Sequence, residues 1–390
     1  MKKIRIAFFA EILIKEFDGA SRTMFQIIER IPKDRFEFCF FCGVAPKNDI
    51  GHEVVTLPAF PIPFNASYKM AIPYFSEQSV QRKLESFNPD LIHIASPSPL
   101  GYFALDYARR HSIPSMTIYH THFLSYIDYY LRHLPVLVPG VKSLVGKKQK
   151  QFYDNCDKVL IPTLAMKSEL SKFGFKTDHM TLWQRGLDKN LFNPLKRDSD
   201  FIKGVVKNNK PNVLFASRLV WEKNLKTLID IYNNAQKINN PFNLIVAGDG
   251  VASQALKMAM PKAYFTGKVS HSELARLYAS CDAFLFPSIS ETYGNVVIEA
   301  MASGLPCVVA NGGGSASFIT EGYNGFKVSP NESSQYIEAL NKLFADKSLK
   351  EQFIKNGLDY IKDLDWSRLA DRYFDLTEEL TGSYLNMQVA

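Results

Sequence analysis

The chain has no run of about 18 apolar residues, the length needed to cross a hydrocarbon core, so no transmembrane helix is expected. Its start, Met1–Ala10, imitates a signal peptide, but the apolar run is short and Glu11 interrupts it, and a first β-strand is the better reading. Cysteine is scarce. Five thiols, an odd number with no close pairing pattern, exclude a disulfide framework and suit reduced side chains in a cytoplasmic protein. Cys39 and Cys42 have Cys-x-x-Cys spacing, yet they lie along a strand-like run beginning at Phe36, which favours a structural role over redox or metal chemistry. No Gly-x-Gly-x-x-Gly follows the first strand, and this speaks against a dehydrogenase. No Asp-x-Asp pair sits at a strand end to suggest a bound divalent ion, and no nucleic-acid-binding module, internal repeat or low-complexity segment is present.

At 390 residues the chain exceeds what one ordinary core supports, so two domains are expected. The net charge of +7 is unevenly placed: residues 1–185 hold 24 Lys and Arg against 17 Asp and Glu, and residues 186–390 hold 22 of each. A basic half beside a neutral half implies an anionic partner on one side only. Without a nucleic-acid module, an anionic membrane surface fits better than nucleic acid.

Strand-like and helix-like segments alternate, and the rhythm runs twice. Strands are expected at Lys3–Ala10, Phe36–Cys42, Glu53–Leu57, Leu91–Ala95, Ser115–Tyr119 and Lys158–Pro162, with helices at Ser21–Arg30, Tyr74–Phe87 and Ala165–Phe173. The second series has strands at Asn212–Ala216, Phe242–Ala247, Ala263–Phe265, Ala283–Phe286 and Cys307–Ala310. Its helices are expected at Asn224–Ala235, Ser272–Ser280, Gly294–Ser303 and Ser334–Ala345. This is the βαβ pattern of parallel sheets covered by helices. The polar stretch Arg185–Lys210 marks the boundary, giving domains of 1–185 and 186–365 and an amphipathic final segment of 366–390.

The most informative segment is Ser290–Gly304. Glu291 lies in a loop before an expected helix, and Glu299, eight residues on, lies inside it. The helix N-terminus offers unpaired N–H groups and a partial positive charge, which suit a phosphate. Two acceptors for sugar hydroxyls beside a phosphate site fit a nucleotide-sugar. Two Glu at this spacing are, on their own, more often solvated charges. After another strand, Ser217-Arg218-Leu219-Val220-Trp221-Glu222-Lys223 offers a bidentate guanidinium and a compact ammonium for a diphosphate whose charge grows on departure, rather than a solvated pair. Gly248-Asp249-Gly250 is either an ordinary turn or a place of close ligand approach. His120 and His122 share His-x-His spacing after a strand. With no evident third ligand, metal binding is set aside, and a hydrogen-bonding or structural histidine remains.

The Ser288–Val309 run resembles the signature of retaining glycosyltransferases of family 4, of the GT-B architecture. The Glu-x7-Glu spacing, Gly294 and the Glu299-Ala300-Met301-Ala302-Ser303-Gly304 run carry the match. The resemblance extends over nearly the whole chain. It implies an α/β fold of two Rossmann-like domains facing each other across a cleft, with the last helix crossing back to the first domain. Ser217–Asn224 is similar to the family's Gly-Arg-Leu…Glu-Lys-Gly element, with Ser217 and Asn224 replacing the glycines. The resemblance makes Arg218 and Lys223 ligands of the donor phosphates, Glu291 a neighbour of the transferred sugar and Glu299 a ligand of the ribose. It places Gly248 near the nucleotide, Lys268 and Val269 along the base, and the backbone of Tyr293, Gly294 and Asn295 on phosphate or sugar. Tyr293 stands where many relatives have Phe. In the first domain, Asp18-Gly19-Ala20-Ser21-Arg22 matches the loop beside the diphosphate, with Ala20 where relatives often have a second glycine. His120 matches the histidine near the sugar.

Tyr119-His120-Thr121-His122-Phe123 and Leu182-Trp183-Gln184-Arg185-Gly186-Leu187-Asp188 point to the branch of GDP-mannose-dependent α-mannosyltransferases and plant sulfoquinovosyl-diacylglycerol synthases. Arg185 either approaches the cleft or serves a hinge. Ser125–Tyr153, aromatic and then basic at Lys142, Lys147, Lys148 and Lys150, reads equally as a bilayer contact or as a core helix with a solvated edge.

The expected activity is transfer of a hexose from a nucleoside-diphosphate sugar to an acceptor hydroxyl with retention. The resemblance implies front-face attack with the leaving phosphate as base, and the two-carboxylate scheme of glycosidases is not imported. GDP-mannose is the preferred donor, with UDP-sugars open, and a membrane glycolipid the preferred acceptor. No cofactor and no metal are expected, the nucleotide-sugar being a substrate. A cytoplasmic protein on the inner face of the membrane follows from these expectations. The alternatives are a nucleotide-sugar 2-epimerase and a non-catalytic nucleotide-sugar sensor.

Overall fold

The structure is a computed structural model that describes residues 2–62, 65–120, 138–239 and 241–389. His122 and residues 125–137 of the aromatic stretch lie outside the described residues. The chain divides into two compact units. One holds the described residues up to Arg185 and those from Trp366 on, and the other holds Gly186–Asp365.

The first unit is built on a seven-stranded sheet. In spatial order it runs β3 (Glu53–Thr56), β2 (Phe36–Val44), β1 (Ile4–Ile12), β6 (Leu91–Ile94), β7 (Ser115–Ile118), β8 (Lys158–Ile161) and β9 (Met180–Leu182), and every neighbouring pair is parallel. Its inner strands β1, β6, β7 and β8 are largely buried because both faces are covered by helices. On one face Phe8 stacks on His93 with ring centroids 4.1 Å apart, and on the other Phe9 stacks on Phe41 at 4.7 Å. The helices are α1 (Gly19–Ile28), α2 (Glu77–Phe87), α3 (Pro99–Arg110), α4 (Val138–Asp154) and α5 (Leu164–Lys172). Asp18, Ser98 and Thr163 cap α1, α3 and α5 with side-chain oxygens. Gly174, at φ +77°, follows the end of α5, as its position in the sequence predicts.

An antiparallel hairpin, β4 (Ala59–Ile62) with β5 (Asn65–Ala71), and helix α3 were not anticipated. Ser96-Pro97-Ser98-Pro99 looks like a loop, yet Pro99 is the first helical residue, where its missing N–H costs nothing. The expected helix Tyr74–Phe87 begins later, at Glu77, after a 3₁₀ turn at Pro73–Ser76.

The second unit has a six-stranded parallel sheet ordered β12 (Tyr264–Gly267), β11 (Asn243–Ala247), β10 (Asn212–Ala216), β13 (Ala283–Phe286), β14 (Cys307–Ala310) and β15 (Gly325–Val328). The helices are α6 (Ser199–Val205), α7 (Leu225–Lys237), α8 (Ser253–Ala259), α9 (His271–Ser280), α10 (Asn295–Ala302), α11 (Ser333–Ala345) and α12 (Lys347–Tyr360). The chain starts at the central β10, builds outward through β11 and β12, then crosses back to β13 on the other side of β10. Such a reversal leaves an opening at the carboxyl ends of the strands, where doubly wound sheets place ligands.

The last helix, α13 (Trp366–Val389), belongs to the first unit. Arg35 pairs with Glu378 at 2.8 Å, Tyr373 Oη meets His93 Nδ1 at 3.0 Å, and Trp183 Nε1 donates to Leu369 O at 2.8 Å. The helix runs through Gly382 to Val389, within the expected final segment 366–390.

Candidate active site

Three loops leave the carboxyl ends of β10, β11 and β12 and bind one another through backbone. Ser217 N donates to Ala247 O, Leu219 N to Asp249 O, and Gly248 N to Gly267 O. Gly248 has φ +132°, and a Cβ there would lie 1.9 Å from Ser217 O, so both conformation and space demand glycine. This seats the Arg218 loop on the Gly248-Asp249-Gly250 turn. A small pocket there is lined by Leu219, Gly248, Asp249, Ser253, Lys257, Phe265 and Gly267. Lys268 and Val269 follow directly, the lysine exposed and the valine partly buried.

Lys223 ends a 3₁₀ turn and is followed by Asn224 at φ +55°. The left-handed conformation explains the residue: Asn tolerates it next best to Gly, and its amide donates to Pro287 O and Pro330 O. Lys223 is 4% exposed and its Nζ lies 2.6 Å from Glu291 Oε1, with Ser290 Oγ at 3.4 Å. The lysine and the loop carboxylate named from the sequence are therefore in direct contact. Arg218 is exposed and makes no ion pair among the described residues, so the two cations expected together have different surroundings.

The Glu291 loop rests on Gly312-Gly313-Gly314, which follows β14. Gly314 N donates to Glu291 O at 2.6 Å, and a Cβ on Gly313 would fall 2.3 Å from Ile289 O. The loop ends at Gly294, which has φ +94° and would bring a Cβ within 2.4 Å of Ser315 Oγ. Gly294 is thus the N-cap of α10 rather than its first residue, and Asn295 opens the helix. Tyr293 is buried and meets Phe318 edge-on at 4.8 Å. Glu299 lies inside α10, 8% exposed, and accepts from Tyr278 Oη at 3.3 Å. Burial first, and then the Glu299 charge, push the Tyr278 hydroxyl well above its ordinary range, so it stays a donor to the carboxylate.

The remaining expected residues stand in the first unit. Gly19 and Ala20 open α1, where Asp18 caps the helix by accepting from Ser21 N at 2.7 Å. His120 follows β7 and is 8% exposed. Burial, then the Arg185 charge, then His93 lower its pKa well below 6.5, so the imidazole is neutral. Arg185 Nη2 donates to His120 O at 3.3 Å. Sequence reasoning gave no role to Tyr278, Ser290, the triple glycine or the Arg185–His120 contact. A glycine run after a strand was the visible signal for one of them. The others join residues far apart in the chain. Among the described residues, no group of three or more His, Cys, Asp and Glu could hold a metal ion, and no helix is long and apolar enough to cross a membrane.

Two units, each a parallel sheet layered with helices, with cationic and acidic side chains at the strand ends of the second, define the GT-B class of transferases. Comparison with known proteins agrees. Residues 17–191 match the family described as Glycosyltransferase Family 4, and residues 196–359 match Glycosyl transferases group 1. A GDP-mannose-dependent alpha-mannosyltransferase of Corynebacterium glutamicum is 28% identical over 95% of this chain and 87% of its own length. The sulfoquinovosyl transferase SQD2 of Arabidopsis thaliana is 30% identical over 82% of this chain and 62% of its own. Sucrose-phosphate synthase from Thermosynechococcus elongatus superposes with a TM-score of 0.77 at 19% identity, over 98% of this chain and 100% of that one.

The chain belongs to the family 4 glycosyltransferases and is an enzyme of that class. Neither the 2-epimerase nor the non-catalytic sensor finds support in these matches.

Proposed function

We propose that the protein transfers mannose from GDP-mannose to a hydroxyl of a membrane glycolipid, with retention and without a metal. The observation that carries this reading is the contact of Lys223 with Glu291 in the loop that feeds the N-terminus of α10, which also bears Glu299. A buried ammonium already neutralised by one carboxylate can exchange it for a diphosphate, releasing Glu291 toward the sugar hydroxyls. Arg218, exposed on the neighbouring loop, supplies a second, bidentate contact to the phosphates. Charge accumulates on the diphosphate as the glycosidic bond breaks, so both cations act more strongly on the transition state than on the bound donor.

The other roles are those that the family resemblance implies. The N–H groups opening α10, with Tyr293, Gly294 and Asn295, face phosphate or sugar. Glu299 binds the ribose hydroxyls, its charge oriented by Tyr278. Gly248, Lys268 and Val269 border the base. In the first unit Gly19 and Ala20 lie by the diphosphate, and the neutral His120 hydrogen-bonds the sugar. The acceptor hydroxyl attacks from the face the phosphate leaves, giving its proton to that phosphate. The mannosyl donor is favoured by the GDP-mannose-dependent relative, and the lipid acceptor by the basic excess of residues 1–185.

Radiolabelled GDP-mannose and UDP-glucose, each incubated with enzyme and a lipid extract, test the proposal. Mannose incorporation into an organic-soluble product with an α-linkage, unaffected by EDTA, is the expected result. Glucose incorporation alone, or loss with EDTA, contradicts the donor or the metal-free reading respectively.

A further inference from the structure

Arg185 is 7% exposed, although burying a guanidinium costs several kcal/mol unless its donors are used. It lies just past β9 in the first unit; one terminal nitrogen bonds the backbone after β7, and the other stands close to the start of α1. Nη2 donates to His120 O, after β7, at 3.3 Å. Nη1 faces the start of α1, where a Cβ added to Gly19 would stand 3.9 Å from it. A planar fork with fixed donor directions can tie two loops at set spacing, which the single ammonium of lysine cannot.

The base of this strut is itself held. Two residues before it, Trp183 N donates to Ile161 O in β8 at 2.9 Å, and Trp183 Nε1 donates to Leu369 O of α13. A second route from α13 ends on the same sheet: Tyr373, whose ring lies 6.1 Å from that of Trp183, hydrogen-bonds His93 of β6. Burial and the neighbouring Arg185 guanidinium both oppose protonation of His120.

We propose that Arg185 is a positioning residue that holds the His120 backbone beside the start of α1 and acts on transfer through His120. This rests on the reading of His120 as a sugar-side group. It assigns Arg185 to the site rather than to a hinge.

A double-mutant cycle tests it with GDP-mannose and the lipid extract. Arg185→Gln in the wild-type background is expected to lower kcat about 10-fold, with KM for GDP-mannose changed by less than about threefold. In a His120→Asn background the same change is expected to cost less than about twofold, because the group it positions is gone. Arg185→Lys, which keeps the charge but not the fork, should recover only part of the loss. Equal losses in both backgrounds, or full rescue by Lys, overturn the proposal. Failure of both Arg185 variants to fold overturns it too, by making the residue a structural one. If His120→Asn has wild-type turnover, the reading of His120 fails instead, and that outcome is separate because it is seen without touching Arg185.

Discussion

At the residue scale the two cations of the second unit should behave differently. Lys223 is buried against Glu291, so Glu291→Ala strands an ammonium and should destabilise the protein by about 3 kcal/mol. Arg218 is exposed, and Arg218→Ala should leave stability within about 0.5 kcal/mol while lowering kcat about 10²–10³-fold. Denaturant unfolding beside transfer assays separates the two. Equal stability of both variants would contradict the ion pair.

Glu11, near the end of β1, gives a pH-dependent prediction. It is 3% exposed, and burial raises its pKa above 4.5 despite hydrogen bonds from Ala71 N, Ser98 and Leu100. An acid raised in the folded state stabilises below the unfolded pKa and loses that contribution as pH rises through the folded one. Glu11→Gln keeps an acceptor for Ala71 N without the charge. Its Tm should exceed wild type by about 2–4 °C at pH 7.5, with the gap closing below pH 4.5. His93 has the opposite sign. Burial lowers its pKa to about 3, so its contribution is lost as pH falls from 6.5 toward 3.

At the element scale, what fixes the site is a set of loops stacked at strand ends, held by glycines that cannot be replaced. Gly294 combines φ +94° with a 2.4 Å approach to Ser315 Oγ. Gly294→Ala should therefore cost about 1–3 kcal/mol and weaken GDP binding together, because it tilts the entry to α10. Calorimetry showing unchanged binding would separate the loop from the donor. Much of this level was legible. The strands Asn212–Ala216, Ala283–Phe286 and Cys307–Ala310 match their expected bounds, because short apolar runs closed by Pro, Gly or a polar loop admit little else. The site's acidic and basic residues were legible as types at strand ends. The Lys223–Glu291 contact was not, since it joins positions 68 apart through a fold that local pattern does not encode. The hairpin β4–β5 was missed because Pro58, Pro61 and Pro63 read as a loop. In the hairpin the strand Ala59–Ile62, with Pro61 inside it, belongs to a sheet of only two strands, where proline is tolerated.

At the scale of the whole molecule, the charge surplus of the first 185 residues predicts a surface preference. α4 carries Lys142, Lys147, Lys148 and Lys150, with Leu144 61% exposed among them. The protein should co-sediment with phosphatidylglycerol-rich vesicles and not with phosphatidylcholine, and binding should weaken as salt rises from 50 to 500 mM. Changing Lys147 and Lys148 to Glu should release it without altering GDP binding.

Titration calorimetry of GDP-mannose into wild type and Lys223→Ala addresses the central claim most directly. Saturable binding by the wild type and an affinity at least about tenfold weaker in the variant is the predicted result. Equal affinities would place the diphosphate away from the Lys223–Glu291 pair and contradict the account.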